Sequence, residues 1–230
     1  MPDAPRALML FAAGLGTRMA PLTNQRPKPL VEVAGRALID HALDQAAGQA
    51  LERIVANTHY RAEQLEAHLA PRGVITLRET ELLDTGGGLK NALPLLPGGA
   101  VFTLNTDAVW TGPSPLATLA RHWNPARMDA LLILVPHHRA HGHVGDGDFA
   151  LAGDGRLRRS GDHVFGGAQI IARRVVEAVP ARVFSLNRLW DSLAARGRLH
   201  GVVHPGGWCD VGRPDCIARA EALLTGKPDD

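Results

Sequence analysis

Short apolar segments alternate with amphipathic segments through most of this chain. Residues 7–13 form an apolar run that ends in glycines, which is typical of a buried strand entering a loop. Further strands are expected at residues 53–57, 74–77, 101–104 and 130–135, and helices at about residues 38–46, 62–69 and 87–93. Because such alternation generates parallel βαβ units, the predicted fold class is α/β, with a doubly wound, mostly parallel, Rossmann-like sheet.

The pattern becomes less regular after residue 136. Residues 137–148 are rich in His and Gly and are expected to form a loop. Two short segments, 149–151 and 157–159, flank a Gly-Asp-Gly turn and predict a hairpin. The remaining expected elements are a strand at 164–172, a helix at 186–195 and a strand at 199–203.

Composition excludes several broad classes of protein. The chain has 230 residues, of which 45% are hydrophobic and 21% charged, as in an ordinary soluble globular protein. Its formal net charge of +2 is too small for bulk attraction to nucleic acid or membranes, so an anionic ligand needs a local site. No apolar stretch approaches the roughly 18 residues of a membrane span. Cys209 and Cys216 lack a C-x-x-C spacing and the N-terminus lacks an export signal, so we expect reduced thiols and a cytoplasmic location.

A loop rich in glycine and positive charge follows the first predicted strand. Residues 12–30 read AAGLGTRMAPLTNQRPKPL. Gly14 and Gly16 let the backbone approach an anion closely, so that amide N–H groups can point at phosphate oxygens. Arg18 and Lys28 add full positive charges. The arginine guanidinium is a planar group with several donors, whereas the lysine ammonium is a point charge on a flexible side chain. The loop therefore predicts a polyphosphate site.

Two well-known phosphate motifs do not fit this loop. In a dinucleotide-binding motif the third glycine position would fall on Met19, and Pro21 opposes the helix that should begin there. A Walker motif is excluded because no Gly-Lys-Ser/Thr triplet follows the glycines.

Two aspartates are candidates for metal ligands. Asp107 follows Asn105 and Thr106 at the end of a predicted strand, where open α/β sheets bind ligands. Asp210 lies about a hundred residues later in the segment WCDVG. If folding brings the two carboxylates together, they can hold Mg²⁺ and leave positions for water and phosphate oxygens.

Two further motifs each have two interpretations. The segment DTGGG at residues 84–88 is either a tight turn or a side-chain-free floor under a nucleobase. The segment HGHVGDGDF at residues 141–149, together with His137 and His138, superficially suggests a transition-metal cluster. Pro136 and the glycines oppose the helix that would align His137 with His141, so these histidines are expected to be ordinary hydrogen-bonding residues.

The glycine-rich loop resembles the signature of the sugar nucleotidyltransferases, which reads approximately G-x-G-T-R-M-x-P-L-T followed by P-K-P-L. The resemblance covers residues 8 to about 224. It implies a GT-A-like fold, Mg²⁺ as cofactor, and transfer of a nucleotidyl group from a nucleoside triphosphate to a sugar 1-phosphate. We expect one domain over residues 1–230, with about 7–125 as the nucleotide-binding half and about 126–225 as a smaller sugar-binding lobe.

The resemblance also implies a role for each motif. Arg18 and Lys28 would be the catalytic cations, Asp107 and Asp210 the metal ligands, and Asp148 with Gly167 would contact the sugar. Nucleotide contacts are expected from Ala12, Ala13, Gly14, Gly16, Thr17, Arg18, Lys28, Thr85, Gly86 and Asn105. Thr106 departs from the family pattern, because it places a methyl and a hydroxyl where a glycine is usual.

The expected partners are a nucleoside triphosphate and a sugar 1-phosphate, without nucleic acid or membrane. The DTGGG form is most similar to short uridylyltransferases that act on N-acetylmuramate 1-phosphate, and to related mannose- or heptose-phosphate enzymes. UTP and an amino-sugar 1-phosphate are therefore the expected substrates. The alternatives are a metal-dependent glycosyltransferase, which would not need Arg18 and Lys28, and an inactive nucleotide-sugar sensor.

Overall fold

A computed structural model of the chain describes residues 4–226. The strands are β1 (Ala7–Phe11), β2 (Glu32–Val33), β3 (Arg36–Ala37), β4 (Arg53–Thr58), β5 (Ile75–Arg78), β6 (Ala100–Asn105), β7 (Ala108–Trp110), β8 (Ala130–Pro136), β9 (Ala140–His141), β10 (Phe149–Leu151), β11 (Leu157–Arg159), β12 (His163–Ala172), β13 (Leu199–Val203) and β14 (Trp208–Asp210). The α-helices are α1 (Leu38–Asp44), α2 (Ala62–Leu69), α3 (Asp84–Ala92), α4 (Pro115–His122), α5 (Arg173–Glu177), α6 (Leu186–Ala195) and α7 (Cys216–Thr225). Short 3-10 helices lie at Thr17–Met19, Lys28–Leu30, Ala70–Arg72, Leu93–Leu95 and His137–Arg139.

The central sheet is parallel in its first half and mixed in its second. Its strands run in the order β5-β4-β1-β6-β12-β8-β13, and the hairpin β10–β11 pairs with the start of β12. The contacts β1–β4, β1–β6, β4–β5 and β8–β13 are parallel, whereas β12 is antiparallel to both β6 and β8. β12 can run antiparallel to β8 because the connection between them, residues 137–162, contains β9 and the β10–β11 hairpin and no crossover α-helix. The predicted α/β class is confirmed, and the antiparallel strand gives the sheet its mixed character.

Helices cover both faces of this sheet. Because successive residues of a strand point to opposite faces, one strand contributes side chains to two cores. Leu8 and Leu10 of β1 are fully buried in one core, which also contains residues of α1, α2 and α4. Ala7 and Met9 are fully buried in the opposite core with residues of α3, α5 and α6. The sheet is therefore doubly wound, as the sequence pattern predicts.

A third, smaller core anchors the glycine-rich loop. Met19 of this loop is fully buried and packs with Val109 of β7, Cys209 of β14 and Ala220 of α7. Strands β7, β14 and β9 form a separate three-stranded sheet beside this core. The loop, β7 and β14 are consequently held together by one set of apolar contacts.

Several elements differ from the expectations. The first strand ends at Phe11 and not at residue 13, and α3 begins three residues before the expected position, at Asp84. The segment expected as a loop at residues 137–148 contains a 3-10 helix and β9. Among residues 4–226, no helix is long and apolar enough to cross a membrane.

Candidate active site

The carboxyl ends of β1 and β6 open onto a cleft of about 460 Å³. Parallel strands commonly bind ligands at this edge, where the chain leaves the sheet and loops are free to shape a site. The cleft is lined by Phe11, Ala12, Ala13, Gly14, Lys28, Pro29, Asn57, Glu79, Leu82, Asp84, Thr85, Asn105, Thr106 and Asp107.

The glycine-rich loop turns back on itself so that Lys28 lies behind it. Gly16 has a φ angle of 66°, and a Cβ atom at this position would lie only 2.9 Å from the Cβ of Lys28. The hydroxyl of Thr23 donates to the Gly16 carbonyl at 3.0 Å and fixes the turn. Thr17 and Arg18 are exposed outside the cleft lining. Glycine at position 16 permits both the left-handed backbone conformation and the close approach to Lys28.

A buried polar pair supports the beginning of the loop. The Ala12 N–H donates to Asn57 Oδ1 at 2.8 Å, and Asn57 Nδ2 donates to Glu79 Oε1 at 2.8 Å. Glu79 Oε2 also accepts from the Leu83 N–H at 3.2 Å, just before α3. Asn57 and Glu79 are each 5% exposed and line the cleft. Neither residue was expected from the sequence, although Asn57 ends the strand predicted at 53–57 and Glu79 lies two residues after the strand predicted at 74–77.

Lys28 and Asp107 meet at the mouth of the cleft. Lys28 Nζ lies 2.8 Å from Asp107 Oδ2, and the two side chains are 12% and 33% exposed. Lys28 begins a 3-10 helix after Pro27, and Asp107 follows the end of β6. Two motifs that are 79 residues apart in sequence are therefore in direct contact.

Asp210 lies on the strand next to Asp107. Asp210 of β14 pairs with Ala108 of β7, and the Val211 N–H donates to the Asp107 carbonyl at 2.7 Å. Burial and, to a lesser extent, the charge of Asp107 raise the pKa of Asp210 to about 6, although Lys28 and other nearby cations act to lower this pKa. The sequence-predicted aspartates are thus neighbours, and the negative charge of Asp210 is incompletely balanced.

The donor set fits a magnesium ion. Within the described residues no group of three or more His, Cys, Asp and Glu side chains could hold a metal. Mg²⁺ does not need such a group, because it is usually held by one or two carboxylates and completed by water and substrate phosphates. A poorly compensated carboxylate beside a second one is where a divalent cation gains most electrostatically.

Thr106 fits at the position where the resembling family usually has glycine. It is 4% exposed, and its hydroxyl donates to the Phe11 carbonyl at 2.8 Å. The bond ties the end of β6 to the end of β1. The hydroxyl is therefore used within the sheet edge and not directed at a ligand.

The glycine cluster at residues 84–88 corrects one expectation. Gly86 is not among the residues that line the cleft, and a Cβ atom there would come within 2.3 Å of the Phe184 ring. At Gly87 a Cβ would lie 2.3 Å from the carbonyl of Arg182. These glycines allow α3 to pack closely against the chain before α6, and Asp84 and Thr85 line the cleft instead.

A second cavity of about 240 Å³ continues the cleft and shares Phe11, Thr85 and Asn105 with it. Asp148 lines this cavity, and its Oδ2 accepts from the Phe165 N–H at 2.8 Å. Gly167 has a φ of 93° and lies against Asn105. A Cβ atom at Gly167 would lie only 3.0 Å from the Cβ of Asn105. Sequence analysis did not identify the other polar lining residues, which are Arg159, Gln169, Asn187 and Trp190.

The histidines after β8 make local contacts. The His137 Nε2 atom lies 2.7 Å from the Gly145 carbonyl, and the rings of His137 and His143 are 6.1 Å apart. This bond closes the loop between β9 and β10.

A doubly wound α/β sheet with a glycine-rich loop, a lysine and an aspartate pair at its carboxyl edge defines a nucleotidyltransferase-type protein. The chain belongs to the MobA-like NTP transferase domain family, whose model matches residues 8–224. It is 44% identical to N-acetylmuramate alpha-1-phosphate uridylyltransferase of Caulobacter vibrioides, over 97% of this chain and 99% of the relative. It is 32% identical to the enzyme of the same name from Neisseria meningitidis, over 94% and 96% of the two chains.

A solved structure shows the same fold at low sequence identity. The inositol-1-phosphate CTP transferase from T. maritima superposes with a TM-score of 0.76 at 15% identity, and the superposition covers all of both chains. The GT-A-like, Rossmann-type architecture expected from the sequence is thereby confirmed.

Proposed function

We propose that this protein transfers a nucleotidyl group from a nucleoside triphosphate to a sugar 1-phosphate and releases pyrophosphate. The observation that carries the proposal is the contact of Lys28 with Asp107 beside Asp210, at the mouth of a cleft formed by the glycine-rich loop. Family membership over residues 8–224 supports the same reaction class.

The proposed substrates are UTP and N-acetylmuramate 1-phosphate. The two relatives that carry this name align with nearly the whole chain, at 44% and 32% identity. The cleft with the glycine-rich loop would take the nucleotide, and the adjoining cavity with Asp148 would take the sugar.

In the proposed reaction, a phosphate oxygen of the sugar 1-phosphate attacks the α-phosphorus of UTP in line. A new phosphorus–oxygen bond forms as the bond from the α-phosphorus to the β-phosphate bridging oxygen breaks, and pyrophosphate leaves. Lys28 would hold the reacting phosphates, and the exposed Arg18 would neutralise the departing pyrophosphate. Such transfers need mainly alignment and charge stabilisation from the protein, so no covalent enzyme intermediate is required.

Asp107 and Asp210 would hold Mg²⁺. When bound, the ion would supply charge stabilisation to the phosphate oxygens. Asp210 lies on β14, and Asp107 immediately precedes β7, the strand with which β14 pairs. This pairing would fix the two aspartates before the substrates arrive and so reduce the cost of ordering the site.

The remaining proposed contacts follow from the cleft. Backbone N–H groups of Ala13 and Gly14, with the side chains of Thr85 and Asn105, would bind the nucleotide. Ala12 lines the cleft, but its own N–H is already bonded to Asn57. Gly16 and Thr17 would shape the loop without lining the cleft, and Gly167 would position Asn105.

We further propose that the two halves act as one domain and that the enzyme works in the cytoplasm, where its nucleotide substrate is made available. Mass spectrometry and fractionation of the source cell would test the location.

The test is a pyrophosphate-release screen of four nucleoside triphosphates against common sugar 1-phosphates, with and without Mg²⁺. Release that requires both substrates and Mg²⁺, and is greatest with UTP and N-acetylmuramate 1-phosphate, is expected. Consumption of a nucleotide sugar in the presence of an acceptor glycan would instead indicate a glycosyltransferase. Binding without turnover across the panel would indicate a sensor.

A further inference from the structure

The cavity beside the cleft carries a positive charge that the reaction at the phosphates does not use. Among the described residues that line it, Arg159 is the only cation. Its polar neighbours there are mostly neutral amides and hydroxyls, together with the Asp148 carboxylate. One oxygen of that carboxylate already accepts from the Phe165 N–H at 2.8 Å. The charge of Arg159 is therefore the feature of this cavity that most restricts what can bind.

The Arg159 guanidinium is held rigidly in place. Its Cζ lies 4.8 Å from the ring centroid of Phe149 and 5.5 Å from that of Trp190. Its Nε donates to Asp191 Oδ1 at 2.7 Å, and Nη2 donates to Asn187 Oδ1 at 2.8 Å. Trp190 is itself fixed by a bond of 3.0 Å from its Nε1 to Gln169 Oε1. Nη2 also donates to the Asn187 carbonyl at 3.1 Å. Hydrogen bonds from Nε and Nη2 and contacts with two aromatic rings leave little freedom to Nη1.

The Nη1 group is available to a ligand. Nη1 of Arg159 donates no hydrogen bond to any residue between 4 and 226, and the side chain is 32% exposed. Asp191, which balances part of the charge, is 62% exposed and is therefore well screened by water. The fixed Nη1 group of a guanidinium that lines a cavity is suited to a carboxylate, to which it can donate charge-assisted hydrogen bonds.

We propose that Arg159 selects sugar 1-phosphates that carry a carboxylate on the pyranose, by binding that carboxylate in the second cavity. The proposal rests on the proposed function and names the residue that sets its acceptor specificity. With the phosphate near Lys28 and Asp107, the sugar ring would extend past the shared residues Thr85 and Asn105 into this cavity. N-acetylmuramate 1-phosphate has such a group, the lactyl carboxylate on its O3, and N-acetylglucosamine 1-phosphate is the same sugar without it.

The experiment compares kcat/KM for these two sugar phosphates, with UTP and Mg²⁺, in the wild type and in Arg159→Gln. The wild type is expected to prefer N-acetylmuramate 1-phosphate. The substitution is expected to lower kcat/KM for that substrate by about 10- to 100-fold, the usual effect of losing a hydrogen-bonded charge partner, and to change the value for N-acetylglucosamine 1-phosphate by less than about threefold. Arg159→Lys should restore part of the preference, because it keeps the charge without the planar fork.

Arg158→Gln is the matched control. Arg158 is the preceding residue of β11, is exposed, and points to the other face of the sheet, so its loss should leave the preference unchanged. A parallel fall in kcat/KM for both substrates would overturn the proposal and assign Arg159 a purely structural role against α6. Thermal unfolding of each variant shows whether the fold is retained.

Direct binding separates this proposal from the proposed function. If neither sugar phosphate is turned over, the reaction assignment fails. Calorimetric titration with N-acetylmuramate 1-phosphate alone then tests Arg159: weaker binding to Arg159→Gln than to Arg158→Gln supports the carboxylate contact, and equal binding refutes it.

Discussion

Replacement of Asp210 by asparagine is expected to stabilise the metal-free protein while removing its activity. Burial and the neighbouring Asp107 raise the pKa of Asp210 to about 6 from its ordinary value of 3.8. A carboxyl group whose pKa is higher in the folded state binds its proton more tightly there, so its ionisation destabilises the fold as the pH rises. At about 1.4 kcal/mol per pKa unit, the ionised Asp210 costs about 3 kcal/mol at pH 7.5. Asparagine has nearly the same shape and does not ionise.

The pH dependence gives this prediction its sign. The cost develops as the pH rises from about 4 through 6, so the stability gain of Asp210→Asn should be near its maximum at pH 7.5 and roughly half as large at pH 5. Urea unfolding of both proteins in the presence of a chelator, at both pH values, measures the gain. Asp146→Asn, at an exposed loop position, is the control and should change stability by less than about 0.5 kcal/mol.

Magnesium should make the wild type more stable than Asp210→Asn, which reverses the order expected without metal. An ion held by Asp107 and Asp210 would stabilise the wild type more as its concentration rises, whereas Asp210→Asn would respond weakly. The reasoning is refuted if the asparagine variant is no more stable than the wild type at pH 7.5 without metal, or if its advantage is the same at pH 5.

Three further predictions concern the loop and its supports. Lys28→Ala should lower kcat by at least about 100-fold with an unchanged circular dichroism spectrum, because it removes a preorganised charge next to Asp107; near-normal turnover would remove Lys28 from the mechanism. Gly86→Ala should lower the free energy of unfolding by about 3 kcal/mol, measured by urea unfolding, because its Cβ would collide with Phe184. Gly14→Ala is the control and should cost less than about 1 kcal/mol, because nothing lies within 4 Å of the added Cβ. Asn57→Ala should cost about 2–4 kcal/mol and raise KM for the nucleotide, because it leaves the Ala12 N–H and a buried carboxylate without their partner; an unchanged KM would show that this pair does not position the loop.

Local sequence patterns were sufficient for the central sheet. The apolar run that contains Leu8 and Leu10 predicts a buried strand, and both residues are fully buried in the structure. The α4 helix was missed although Ser114 and Pro115 form a good start signal: the Ser114 hydroxyl accepts from the Leu116 N–H at 3.2 Å, and proline suits the first helical position. The helix spans only eight residues, and Gly112, Pro113 and Ser114 just before it favour a loop.

Contacts between distant segments were less accessible from the sequence. The proximity of Asp107 and Asp210 was expected from the family resemblance, but the strands that bring them together, β7 and β14, are three residues long and have no distinctive pattern. The Glu79–Asn57 pair was missed because an acid at a strand end has the same sequence appearance whether it is solvated or buried. The packing role of the glycines at 86 and 87 could not be predicted, because the residues that they contact, Phe184 and Arg182, lie about a hundred positions away.

A crystal structure with Mn²⁺ and a non-hydrolysable UTP analogue would show whether the two aspartates hold a metal ion beside the nucleotide. We expect an anomalous Mn²⁺ peak bound by Asp107 and Asp210, with the α-phosphate of the analogue beside the ion and Lys28 within hydrogen-bond distance of a phosphate oxygen. An ion bound elsewhere, or a nucleotide whose phosphates lie away from the glycine-rich loop, would contradict this expectation.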